Sequence, residues 1–256
     1  MPTILHIPVY YEPKHHIGLP EQRALHAILL GALQTASPEL ATAVHDMRVK
    51  PFAQALLPNK NSSMASEAPW MWRVSWLDDT LVEPFWDGLT AAPPPDLCRQ
   101  PVQFAPDAAR REAMSYEMLS ETPPAKGFQV DFRTPTSFKQ RYYDHPMPTP
   151  YHCFQSWWAR WREFTPDDLA INVAVLDVVS AHLVVSYFNL RSEVLQSGQR
   201  LLIGGVGKMT FRAIQTGKID ADWWQAISIL AAFAPYCATG HKTAQGMGQT
   251  SVVALK

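Results

Sequence analysis

The chain is poor in the residues that build covalent or metal-held frameworks. Its 256 residues include only three cysteines, Cys98, Cys153 and Cys237, far apart and without a C-x-x-C pair. That spacing argues against a disulfide scaffold and against a cysteine zinc site. None of the nine histidines stands in an H-E-x-x-H arrangement, so no metal centre and no cofactor is expected. No apolar run reaches the ~18 residues that a membrane span needs. The opening Met1-Pro2-Thr3-Ile4-Leu5 lacks the charged start and cleavage site of a secretory signal. The expectation is a cytoplasmic protein with no membrane partner. An excess of one charge sign is missing too: 22 Lys and Arg against 23 Asp and Glu give a formal net charge of −1. Non-specific coating of nucleic acid is disfavoured, because that affinity comes from phosphate contacts. Any nucleic-acid binding must rest on local basic clusters.

What is present is a mixture of strand-like and helical periods. Residues 3–11 (TILHIPVYY) read as a strand. Pro20 and Glu21 then open a helix running to about Thr35, proline and acid both suiting a first turn, and Leu25, Leu29 and Leu33 recur at helical spacing. Ser37 caps a short helix through Val44 and His45, residues 50–57 return to extended structure, and residues 71–77 (MWRVSWL) alternate as a strand. A short helix near 81–89 and extended segments near 102–104 and 112–119 follow. The stretch 121–126 (ETPPAK) reads as a boundary between domains at 1–124 and 125–256. Beyond it come a strand (127–133), a helix (151–163), strands within 181–190 and 200–214, a helix (220–236) and a last strand (250–255). Strand, helix, two strands, helix, strand, twice over, predicts an α+β fold of two tandem ferredoxin-like (RRM-like) domains with antiparallel sheets.

Two segments are rich in glycine. Gly204-Gly205-Val206-Gly207-Lys208 fails as a P-loop, because Leu202 and Met209 occupy the places of the first glycine and the Ser/Thr. The segment from Gly240 to Gly248 is no dinucleotide fingerprint either, with Ser251 where a third glycine belongs. It can serve tight turns, with Gly240 ending the preceding helix. Alternatively, Gly240, Gly246 and Gly248 let the backbone approach a phosphate while His241 and Lys242 add donors and charge.

From Ala232 onward the sequence reads AFAPYCATGHKTAQGMGQTSVV. It resembles the C-terminal glycine-rich loop and last strand of the CRISPR repeat-processing endoribonucleases, the sixth Cas family, with Ala238 standing where a first glycine is common. FRTPTSFK at 132–139, FQSWWARWREF at 154–164, GGVGKMTF at 204–211 and ATAVHDMRVKPFAQALL at 41–57 fall in the family's order along the chain. The resemblance implies a pair of ferredoxin-like domains that cut precursor CRISPR RNA within its repeats. It also implies metal-free chemistry, the ribose 2′-OH attacking the adjacent phosphate to leave a 2′,3′-cyclic phosphate and a 5′-OH.

Such cleavage needs a base, an acid and positive charge near the phosphate, and histidine suits the proton roles because its ordinary pKa of ~6.5 lies near working pH. His45, ending the short helix before the K-P-F strand, stands where the family commonly keeps its catalytic histidine. Arg23 is the candidate for stabilising the phosphorane. His26, on the same side of the helix as Arg23, reads first as a partly buried helix residue and only second as a proton carrier. Tyr10, Arg48 and Lys50 are candidate orienting groups, while His15 and His16 are expected in a solvent-exposed loop. For RNA contact the candidates are Gly240, His241, Lys242, Gly246 and Gly248, with Lys139 and Arg141 beside Tyr142 and Tyr143. Arg160 and Arg162 join them, expected to point away from a core made by the tryptophans of their helix. The partner implied is CRISPR repeat RNA and not DNA, with an effector complex and a homodimer left open. The competing reading is a non-catalytic RNA-binding subunit of a CRISPR effector, which would not need His45.

Overall fold

The computed structural model describes the chain except residues 14–16, 60–68, 92–95, 198–199 and 256, so His15 and His16 lie outside the described residues. Contacts divide it into two units: Met1–Ala113 with Gln196–Arg200 and Ala244–Gly246, and Met114–Leu195 with Leu201–Thr243 and Met247–Lys256. The division after Ala113 comes earlier than the composition of residues 121–126 suggests. Tyr116 packs edge-on to Trp161 at 5.4 Å and lies 6.0 Å from Phe233, and Gln225 Nε2 donates to the carbonyls of Ser120 and Thr122. These contacts tie residues 114–124 to the second unit.

The first unit runs β1 (Thr3–Tyr10), α1 (Leu19–Ala36), α2 (Pro38–Asp46), β2 (Phe52–Pro58), β3 (Trp70–Trp76), α3 (Val82–Ala91) and two short strands, β4 (Gln103–Phe104) and β5 (Arg110–Ala113). The strand order is β2-β3-β1-β4, with β5 also pairing with β1. Pairing is antiparallel: Thr3 faces Trp76, Phe52 faces the same tryptophan from the other side, and Val9 faces Phe104. The first strand beside the third, with the second at an edge, is the ferredoxin-like arrangement. Leu25, Leu29 and Leu33 are fully buried, as their spacing predicts. They meet an aromatic layer in which Trp76 lies 5.4 Å from both Phe52 and Phe85.

The second unit runs α4 (Tyr116–Ser120), β6 (Gly127–Thr136), α5 (Pro150–Phe164), α6 (Val175–His182), β7 (Leu183–Ser197), β8 (Arg200–Ala213), α7 (Ala221–Cys237) and β9 (Thr250–Leu255). Its order, β7-β8-β6-β9, repeats the same plan. Two elements differ from expectation. Residues 116–120 are helical and not extended, because Ser115 Oγ accepts from Met118 N at 3.1 Å and caps the turn. Helix α6 was not foreseen; it buries Val175, Leu176 and Val179. The aromatic helix behaves as read: Phe154, Trp157 and Trp161 are fully buried, with Trp161 edge-on to Phe233 at 5.2 Å. The G-G-V-G-K segment lies inside β8. A Cβ on Gly204 would meet Thr136 N at 2.5 Å, and one on Gly207 (φ +130°) would meet Asn189 O at 2.1 Å. These glycines admit neighbouring strands. Among the described residues no helix is long and apolar enough to cross a membrane.

Helices α1 and α3 touch at Gly88, where a Cβ would lie 1.8 Å from the carbonyl oxygen of Ala32. Alanine gains about 1 kcal/mol of helix propensity over glycine, but no side-chain rotation relieves an overlap with backbone, and overpacking costs about 1–3 kcal/mol or more. Gly88→Ala should therefore lower the urea midpoint, by about 1–2 kcal/mol of stability. A midpoint at or above wild type would mean that the two helices part freely.

Candidate active site

Helix α2 carries His45 in its last turn. Pro38 opens the helix, and Ser37 Oγ caps it by accepting from Leu40 N at 3.2 Å. At the other end Lys50 folds back and donates from Nζ to the carbonyls of Val44 (3.2 Å), Met47 (2.9 Å) and His45. A cation over free carbonyls at a helix C-terminus is favourably placed. Lys50 thus fixes the turn that presents His45, and burial holds its ammonium below the ordinary lysine value. The His45 side chain is 71% exposed, with Nδ1 2.9 Å from Asp46 Oδ1. Tyr10 and Arg48 are exposed.

His26 has the more sharply defined imidazole. It is half-buried on α1, its ring centroid 5.6 Å from that of Phe52, and its Nδ1 lies 3.0 Å from the carbonyl oxygen of Ala244. A carbonyl can only accept, so Nδ1 bears the proton and Nε2 is the unprotonated nitrogen. Burial is the main cause holding its pKa below the ordinary histidine value. The Ala244 bond opposes that shift, while the charges of Lys50 and His45 add to it. His26, His45 and Lys50 are therefore within electrostatic reach of one another in the first unit. Arg23, one turn before His26, is half-buried.

The glycines of the C-terminal segment sit against the chain's own atoms. Gly246 (φ +88°) is buried, and a Cβ there would lie 2.4 Å from the side chain of Gln22. Gln22 is itself buried and clamped to β2: Nε2 donates to Leu56 O at 3.3 Å, and Oε1 accepts from Leu56 N at 3.1 Å. In the second unit a Cβ on Gly248 (φ +71°) would lie 2.0 Å from Thr239 O, and one on Gly240 (φ +82°) 2.2 Å from Ser137 O. The glycines are required by the chain's own close packing, with Gly246 and Gly248 buried. Helix α7 ends at Ala238 and not at Gly240. Ala238 has φ +57° and ψ −179°, a region that costs a residue with a Cβ about 1–3 kcal/mol and that explains why glycine is the easier occupant.

Two expected RNA contacts turn inward. Arg160 donates from NH1 to Ser156 O and Oγ, and from NH2 to Gly240 O at 2.8 Å and Thr243 Oγ1 at 3.2 Å. It is half-buried and braces the loop, its position on α5 aiming it at the Gly240 carbonyl. The His241 side chain is only 18% exposed, its Nε2 3.4 Å from Asp144 Oδ1, and burial is the main cause lowering its pKa. Lys242 is half-buried with φ +55°. The outward cations are Arg162, stacked 4.7 Å over the Trp158 ring, and Lys139 and Arg141 on the hairpin formed by Phe138–Gln140 and Tyr143–His145. Arg141 sits at the turn with φ +48°, beside Tyr142, which is 97% exposed. Among the described residues no three His, Cys, Asp or Glu side chains gather as a metal site. Sequence reasoning passed over Gln22, whose signal was a polar residue in the buried stripe that continues through Leu25 and Leu29.

Residues 130–250 match the family described as CRISPR-associated endoribonuclease Cas6. A curated Cas6 endoribonuclease of Streptococcus thermophilus is 26% identical over 121 residues, 47% of this chain and 48% of that protein, so the match spans about half of the curated relative's length. Solved structures align more fully. A Cas6 product complex is 27% identical with a TM-score of 0.83, covering 99% of this chain and 100% of that one. Thermus thermophilus Cas6 is 25% identical with a TM-score of 0.74, covering 99% and 98%. Their architecture, mixed helix with antiparallel sheets, is the one described above. Over residues 130–250 the chain is similar to the Cas6 family of CRISPR-associated endoribonucleases, and over its full length its fold is similar to that of solved Cas6 structures.

Proposed function

We propose that this chain cuts precursor CRISPR RNA within its repeats, without a metal ion, by attack of the ribose 2′-OH on the adjacent phosphate. The observation that carries the reading is His26: its Nδ1 proton is tied to Ala244 O, and its lowered pKa keeps Nε2 free to accept a proton at neutral pH. In this mechanism Nε2 takes the 2′-OH proton and O2′ bonds to phosphorus. The P–O5′ bond breaks, and protonated His45 gives its proton to the leaving O5′. Asp46, 2.9 Å from Nδ1 of His45, orients that ring so that Nε2 is the donor. Arg23 balances the charge gathering on the phosphate oxygens. The products are a 2′,3′-cyclic phosphate and a 5′-OH, and no water is consumed. Lys139, Arg141, Tyr142 and Arg162 supply the grip on RNA, consistent with a basic-aromatic surface. A relative solved as a product complex supports a chain that keeps what it cuts, for delivery to an effector complex.

His26→Ala and His45→Ala should each slow single-turnover cleavage of repeat RNA by about 10²-fold or more, with affinity little changed. Wild type should cut in EDTA, and a repeat with a 2′-deoxy sugar just upstream of the scissile phosphate should bind and stay whole. Cutting of that substrate, or a strict need for magnesium, would overturn the mechanism. Binding without any cut favours the non-catalytic subunit.

The pH dependence has a definite sign. The neutral form of His26 is the active one, so the rate rises with pH as that group loses its proton. Because burial lowers its pKa, the midpoint of the acidic limb should lie below about 6.5 and the limb should vanish in His26→Ala. A midpoint above that value argues against His26 as the base.

The two arginine classes separate by experiment. Arg141→Ala should reduce the slope of log affinity against log salt by about one unit or less and leave the melting temperature alone. Arg160→Ala removes the donors to Gly240 O and Thr243 Oγ1, and so should lower the melting temperature first. The reverse pattern would restore Arg160 to the RNA surface.

A further inference from the structure

We infer that Gln54 is a positioning residue for the base, setting the Ala244 carbonyl against which His26 is held. The inference rests on the reading of His26 as the general base. Gln54 lies on β2, whose other residues from Phe52 to Leu57 are buried and apolar, and its side chain is fully buried among them. An amide left unpaired in such a place is destabilising. Here it is fully paired. Trp72 Nε1 donates to Oε1 at 2.9 Å, while Nε2 donates to Gln22 O at 2.9 Å and to Ala244 O at 3.1 Å. An indole only donates and carbonyls only accept, so the amide has one satisfying orientation.

The consequence falls on the shared acceptor. Ala244 O receives Gln54 Nε2 at 3.1 Å and His26 Nδ1 at 3.0 Å, which uses both of its lone pairs. Held from the strand side, the carbonyl stays aimed at the imidazole. The ring then loses its partner if the proton moves to Nε2, the atom that must be bare to act as a base. Gln54 touches neither substrate nor the reacting atoms. It acts through His26.

The test is Gln54→Glu, which keeps the shape and the acceptor for Trp72 but removes both donors when ionised. RNA affinity should hold, while the single-turnover rate at neutral pH falls roughly 10- to 100-fold, the scale of a misplaced catalytic group. In ¹⁵N-histidine spectra wild-type His26 should be the Nδ1–H tautomer and the variant a mixture. In a His26→Ala background, Gln54→Glu should add no further loss, as expected for residues acting as one unit. The wild-type spectrum needs no variant to fold, and a proton on Nε2 there would overturn the inference. So would a slow His26→Ala beside a Gln54→Glu with the rate and pH profile of wild type. His26→Ala cleaving at the wild-type rate overturns the base assignment itself, and with it the catalytic consequence drawn for Gln54.

Discussion

One hydrogen bond, from His26 Nδ1 to the carbonyl of Ala244, joins residues 218 positions apart, and Gln54, Gln22 and Gly246 are packed around it. Ala244 stays in place because Gly246 has no side chain where Gln22 lies and because Gln22 is pinned to β2 at Leu56. The bond selects a tautomer, and the tautomer decides which ring nitrogen is basic. A contact of ordinary strength, about 1 kcal/mol net, therefore acts mainly by excluding the alternative state of the ring.

Burial sorts the histidines by what they can do. His26 and His241 are both half-buried and pushed toward the neutral form. His241 faces Asp144 within its own unit, so its surroundings are a structural pairing. His26 faces a carbonyl, Lys50 and His45, an uncharged acceptor and two groups that disfavour its protonation. His45 is open to solvent beside Asp46. A sheltered neutral imidazole and an exposed one next to a carboxylate make an asymmetric pair, and two groups with different environments are what base and acid roles require.

Much of this was legible in the chain. The leucines of α1, the alternation of β3 and the Ser37 cap have local causes, and the twofold recurrence of strand, helix, two strands, helix, strand follows from them. Shorter elements escaped for local reasons too. Helix α4 spans five residues, too few for a period to show, and the β-branched run around Val178 and Val179 in α6 looks like the strand that follows it. The site escaped for non-local ones. Arg160 reads as an outward charge until the carbonyl of Gly240, 80 positions on, is seen to lie against it, and the promotion of His26 needs Ala244. The glycines could be flagged from sequence, but whether each serves a phosphate or a neighbouring backbone depends on what sits where the Cβ would be.

That distinction bears on where the family likeness is strongest. The matched stretch, 130–250, takes in Gly240, Gly246 and Gly248 and leaves out His26, His45 and Gln54. Positive φ together with a backbone oxygen 2.0–2.2 Å from an imagined Cβ, as at Gly240 and Gly248, admits no residue but glycine, so geometry there dictates letters. The proposed proton transfer dictates less. It needs an imidazole with one nitrogen tethered and the other bare, and a helix turn can offer that from more than one position. Sequence likeness thus marks the glycine-rich loop more readily than the groups proposed to react, and the roles of His26 and His45 have to be argued from partners and burial, residue by residue.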